Sequence, residues 1–273
     1  MRALVLIRHY CSVAICCARL TIQEQLEYPF LAICWFFIIP IEYLTSVGLL
    51  KVIINTFNNL EGWSFPQLTF AYSLALLSRG VVDVFFIQLL YLGDMVLYGE
   101  LDRMMLRPLS VFFQFTAQNI NFIGLVNMIP AIVIFLYSCK EVSFLWTAAN
   151  IAKIILTVIG GVLIRISFFM IIGTVCFWTK SNNQGVELGI KLLERSTMYP
   201  LSIYPFFIQF ILTFILPLGF ICFYPSCEFL NKNDGFVIPL GLSIWTPAIG
   251  VLLFYIAQRF LKYGLKHYES TGS

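Results

Sequence analysis

Charge is scarce in this chain. Of its 273 residues, 11% are Asp, Glu, Lys or Arg, and histidine occurs only as His9 and His267, one near each terminus. So little polar side chain cannot cover a water-exposed surface. A formal charge of +3 offers no basic face for nucleic acid. The eight cysteines include no CxxC pair and meet no histidine at ligand spacing, which argues against a zinc site and favours reading them as small packing residues. Missing too are P-loop, GxGxxG, HExxH and GxSxG motifs. No soluble domain of any size interrupts the apolar runs. The longest polar connection, TKSNNQGVELGIKLLERSTMYP, is one short helix with its flanks. The chain therefore carries no nucleotide-hydrolysing domain of its own.

What fills the sequence is apolar. Hydrophobic residues make up 60% of it, against about 45–50% in soluble domains, and mean hydropathy is strongly positive. Six runs reach the roughly 20 residues needed to cross a bilayer: Phe30 to Ile54, Gln67 to Leu90, Phe115 to Cys139, Ile151 to Trp178, Leu201 to Tyr224 and Val237 to Phe260. Pro40, Pro130, Pro217 and Pro247 fall inside them, where neighbouring helices can satisfy freed carbonyls. The expected fold is an all-α integral membrane protein of six transmembrane helices spanning 29–262, with a short cytoplasmic tail at 263–273.

Residues 1–28 precede the first run. On a helix, Arg8, Ser12, Arg19, Gln23 and Glu27 form one stripe, and Leu4, Ile7, Val13, Cys17 and Leu20 lie largely away from it. That pattern predicts an interfacial amphipathic helix lying in the headgroup plane, with an ordinary cytosolic leader helix as the plainer reading. Pro29 ends it. Arg8 and His9 interrupt the apolar stretch too early for a signal peptide.

Lys and Arg set the orientation. With the N-terminus inside, the inner connections collect Arg2, Arg8, Arg19, Arg103, Arg107, Lys180, Lys191, Arg195, Arg259, Lys262 and Lys266. The outer ones receive only Lys51, Lys140, Lys153 and Lys232. Both termini are expected in the cytoplasm, and so is the segment GELDRMMLRPLS at 99–110.

That segment is unusually charged for its surroundings. On a helix, Leu101, Met104 and Met105 share a face, while Glu100, Arg103 and Arg107 take the other. Asp102 sits in the first turn, where negative charge suits the dipole, and Pro108 is expected to stop the helix after about two turns. Isolated in water it would be marginal. One reading is a connector with solvated charges. The other is a plug for a partner protein, with Met and Leu filling a groove and the charges setting register.

The pattern G-E-L-D-R-x-x-L-R-P-L after the second run resembles a signature of bacterial ABC-2-type permeases, the membrane subunits of ATP-binding-cassette exporters. The stretch MYPLSIYPFFIQFILTFILPLGFICFYP at 198–225 is similar to the same family, and the layout agrees over nearly the whole chain. The resemblance implies two permease subunits, alike or different, above two ABC ATPase subunits that hold the ATP and Mg. This subunit would bind no cofactor and catalyse nothing itself. It implies that Glu100, Leu101, Asp102, Arg103, Met104, Met105, Leu106, Arg107 and Pro108 form the coupling helix seated in the ATPase. The implied location is the bacterial cytoplasmic membrane, and the implied cargo is amphipathic: a peptide, a natural product such as an antibiotic, or a lipid.

Glu42, Arg79, Asp83 and Arg165 each fall inside an expected span, where charge costs a few kcal/mol on insertion scales. Arg79 and Asp83 are one turn apart. The four could form an ion-pair network joining the first, second and fourth helices, line a substrate path or gate, or relay protons. Phe206, Phe207, Phe210 and Phe214 follow helical spacing and face either lipid or a lateral cavity. Trp63, Trp146, Trp178 and Tyr224, near span ends, are expected as interfacial anchors. Two other classes compete with the exporter. An ion-coupled secondary transporter predicts inverted repeats, which the sequence does not show. A membrane-embedded enzyme needs a converging nucleophile–base or metal set, which two histidines do not favour.

Overall fold

The computed structural model describes residues 2–27, 29–57, 60–118, 121, 124–179, 184–232 and 242–269. The side chains of 2–11, with Leu4, Ile7 and Arg8 of the expected amphipathic pattern, lie outside the described residues. Residues 237–241, the expected start of the sixth span, also lie outside them.

Every element among the described residues is helical, apart from an isolated bridge between Leu60 and Trp63. A leading helix, α1 (Arg2–Glu27), is followed by α2 (Pro29–Phe57) and α3 (Phe65–Phe85). A short 3-10 turn (Ile87–Tyr91) leads into three small helices: α4 (Leu92–Leu97), α5 (Glu100–Met105) and α6 (Val111–Gln118). Then come α7 (Gly124–Glu141), α8 (Ala148–Thr179) and the amphipathic α9 (Gln184–Met198). A broken segment follows, with α10 (Phe206–Phe210) running on as a π-turn to Ile215 and α11 (Phe223–Phe229) beyond the break. The chain closes with α12 (Leu242–Lys266). Five helices are long and apolar enough to cross a membrane, or six if the bent pair is one span.

Helix α3 lies at the centre, with α2, α7, α8, α9 and α11 packed around it. The Gln67 side-chain oxygen accepts the Ser64 N–H at 3.1 Å, and Pro66 in the first turn forgoes a bond that would have no partner. Most of α3 is buried, whereas α2, α7 and α12 each leave an apolar face open, as helices facing lipid do.

Two long helices, α8 and α12, run side by side through small residues. A Cβ on Gly160 would meet Pro247 N and Thr246 C at 2.6 Å, and one on Gly264 would meet Thr174 Cγ2 at 2.6 Å. In lipid, where burial of apolar surface drives nothing, close approach of this kind supplies the van der Waals contact that holds helices together.

The fifth expected span departs from a simple crossing. Phe206–Ile215 and Leu218–Phe229 meet at 75°, with Leu216 and Pro217 at the break. The second half turns into the protein and buries Cys222, Tyr224 and Cys227. Two expected anchors are corrected by this turn. Tyr224 is 1% exposed and its hydroxyl shares a 2.8 Å hydrogen bond with Thr213. Trp63 is 0% exposed, its ring tilted against Phe223 at 5.6 Å and capped by the Lys232 ammonium at 4.6 Å. Trp146 and Trp178 stay exposed, and so do Phe206, Phe207, Phe210 and Phe214.

The second and third runs also differ from expectation. The second ends at Phe85 rather than Leu90, because the chain breaks into the 3-10 turn. The third starts only at Gly124, and Val111–Gln118 is a separate helix packed on α1. On α1, Ser12, Arg19, Gln23 and Glu27 are exposed along the expected stripe. Ile15, Leu20 and Ile22 are exposed as well, an apolar flank that water would not favour.

Candidate functional site

Two features carry the sequence-marked residues: the GELDRMMLRPLS segment at one end of the bundle and a charged cluster within it. Gly99 opens the first. Its φ of +66° is left-handed, which a Cβ would disfavour by about 1–2 kcal/mol, and it separates α4 from α5. The helix that follows is shorter than expected. It ends at Met105, three residues before Pro108, and tightens into a turn in which the Arg107 N–H donates to the Met104 carbonyl at 3.3 Å. The residue before a proline avoids helical geometry, so Pro108 acts on Arg107 rather than simply capping the helix.

The faces also divide differently. Leu101 is 0% exposed and Met104 is buried with it in the main core of this same chain. They do not fill a partner's groove. Met105 turns outward, and Leu106 is 87% exposed beside exposed Arg103, Arg107 and Pro108. Glu100 and Arg103 pair at 3.7 Å on the surface, worth at most about 0.5 kcal/mol. The segment is therefore a rivet: its inner side is embedded and its tip projects.

Two residues outside the segment, Gln114 and Tyr268, tie the rivet down, and neither was singled out by its sequence. Gln114 of α6 is 2% exposed and donates through Nε2 to the Met104 carbonyl at 2.9 Å and to the Leu109 carbonyl at 3.0 Å. Tyr268, beyond α12, packs edge-on against Phe177 of α8 at 5.6 Å and lies beside Asp102. Burial first, and then the Asp102 carboxylate, hold its phenol above the ordinary value. Burial holds the Cys17 thiol of α1 above its ordinary value, and the Arg107 guanidinium opposes that push.

The charged cluster brings three of its four sequence-marked residues together. Arg79 meets Glu42 at 3.6 Å and Asp83 at 3.5 Å. Arg165 joins the same helix through neutral partners, donating from Nε to Ser78 Oγ at 3.1 Å and from Nη2 to the Ala75 carbonyl at 3.2 Å. The expected four-residue ion-pair network is thus a three-residue one plus a hydrogen-bonded arginine. It gains two members. Glu194 of α9 makes the shortest ion pair of the group, 3.1 Å from Arg79 Nη1, and Asn127 of α7 donates to Asp83 Oδ2 at 2.9 Å. Glu194 was hidden in a polar connection. Its signal was position: Ile190, Leu193, Thr197 and Met198 mark the buried face of α9, and Glu194 lies at its edge.

No group of three or more His, Cys, Asp or Glu able to hold a metal occurs among the described residues. A family model described as "ABC-2 family transporter protein" matches residues 31–272. No curated protein and no solved structure matches the chain.

Proposed function

The chain belongs to the ABC-2 transporter family, a multi-pass membrane permease, and from that premise we propose that it is the membrane subunit of an ATP-driven exporter. Two permease subunits, alike or different, would enclose the path. Two separate ABC ATPases would bind ATP and Mg and hydrolyse the nucleotide. The tip formed by Arg103, Met105, Leu106, Arg107 and Pro108 would seat in the ATPase, in a bacterial cytoplasmic membrane with both chain ends inside. The cargo would be an amphipathic peptide, natural product or lipid.

The observation that carries this reading is the asymmetry of 99–110. The segment presents Leu106 at 87% exposure while embedding Leu101 and Met104. An apolar residue framed by Arg103 and Arg107 is what a protein groove accepts. Because the inner side is packed and clamped, a push on the tip is passed to α4, α6 and α8 as a rigid-body displacement rather than absorbed locally. The α1 helix, with exposed Ile15 and Leu20, would ride in the headgroup layer.

Purification of the tagged chain from its native membranes tests the proposal. An ATPase in about equal amount is expected, lost with Leu106→Glu and with the Arg103→Glu, Arg107→Glu pair, none of which touches the core. Retention by these variants would refute the docking role. An ion-coupled carrier shares only the carboxylates around Arg79 with this account. It would show transport driven by a proton or sodium gradient with no ATPase attached.

A further inference from the structure

The charged cluster forms the wall between two cavities. One, of about 360 Å³, has Asp83 and Asn127 on its polar side and Trp35, Ile39, Phe169 and Leu193 on its apolar side. The other, of about 400 Å³, adds Lys191 and Arg195. Both are lined by Glu42, Arg79, Arg165 and Glu194. The first cavity thus holds three carboxylates against two guanidiniums, and the second holds two carboxylates against four cationic side chains.

Resting on the transport reading above, we propose that the first cavity binds the charged head of an amphipathic organic cation. Three carboxylates share one guanidinium there, at 3.1 to 3.6 Å. Each carboxylate can accept about four hydrogen bonds, so acceptor capacity is left over. Arg165 does not draw on it, since its bonds go to Ser78 and Ala75. Glu42 and Glu194 remain partly open, with side chains 51% and 36% exposed. Trp35 and Phe169 supply the aromatic faces that a desolvated cation prefers, and the apolar wall takes its greasy body. Lys191 and Arg195 disfavour a cation in the second cavity, which fixes the side of Arg79 on which it sits.

The test is equilibrium binding of tetraphenylphosphonium, with tetraphenylborate as the anion of matching shape, to the full chain in lipid nanodiscs after subtraction of empty discs. Saturable phosphonium binding is expected, weakened about tenfold by Glu42→Gln or Glu194→Gln and by Trp35→Ala, and unchanged by Lys191→Gln. Each variant is first checked for an unchanged melting temperature, and Trp35→Ala, which removes no charge, serves if the carboxamides unfold. Borate binding as tight as phosphonium, no saturable phosphonium binding, or affinity indifferent to all three cavity variants would overturn the proposal. Binding is read without ATP. A failed titration therefore leaves the ATPase-docking result standing, and a missing ATPase leaves the titration standing.

Discussion

Gln114→Leu should loosen the handle without unfolding the bundle. The glutamine is buried and donates two hydrogen bonds, to the Met104 and Leu109 carbonyls at 2.9 and 3.0 Å. A net hydrogen bond is worth about 1 kcal/mol, so the pair contributes about 2 kcal/mol to holding residues 104–110 against α6. Leucine fills nearly the same volume. It also removes a buried side-chain oxygen that has no partner among the described residues, so the global stability should change little. The loss is local, and about 2 kcal/mol corresponds to about a 30-fold rise in the open population of that segment. Hydrogen exchange by mass spectrometry reads it directly. The Arg107 and Leu109 amides, bonded to Met104 and Arg107 respectively, should exchange about 30-fold faster, while peptides from α3 and α8 hold their rates. ATPase should still bind, but its hydrolysis should respond less to transported cargo. Unchanged exchange at 104–110 would refute the clamp and with it the claim that the tip is rigidly mounted.

Other outcomes follow from the same contacts. Arg79→Leu leaves Glu42, Asp83 and Glu194 without their shared cation and should cost about 3–5 kcal/mol, whereas Arg165→Leu removes only neutral hydrogen bonds. Melting temperatures in detergent should therefore fall much further for the first, and the reverse order would contradict the assigned partners. Gly160→Val places carbon against the Thr246 and Pro247 backbone, which cannot rotate away, and should lower stability by about 1–3 kcal/mol. Gly48→Ala, with nothing within 4 Å, should be neutral or stabilising in the same melt. The raised phenol of Tyr268 favours its neutral form in the folded chain, so its contribution is complete below the ordinary phenol value and is lost as pH rises through the higher folded value. Asp102→Asn should shift that titration downward, seen as the difference in ultraviolet absorbance against Tyr268→Phe.

The apolar runs made the helical fold legible. Continuous stretches such as Ala148–Thr179 admit no other structure in lipid, and the ends of that helix fall within three residues of the expected Ile151 and Trp178. The break in the fifth run was less legible. Pro217 is one of six prolines inside the runs, and Pro40, Pro130 and Pro247 sit within intact helices, so proline alone does not tell a kink from a turn. The burial of Trp63 and Tyr224 depends on that turn, and composition reads both only as amphipathic rings. In the handle, periodicity correctly grouped Leu101 with Met104 but could not say that the apolar side belongs to this chain's own core. Glu194 and Arg165 show the same limit. A charge at the edge of an amphipathic helix and one inside an apolar helix declare their cost, while their partners, about 115 and 87 residues away in sequence, come only from packing.

Site-specific photocrosslinking from the handle tests the central claim most directly. A photoreactive residue replacing Leu106 should label a co-purifying ATPase in native membranes, and the same residue replacing Met104 should label only this chain. Labelling of lipid alone from position 106, or equal labelling of the ATPase from position 104, would contradict it.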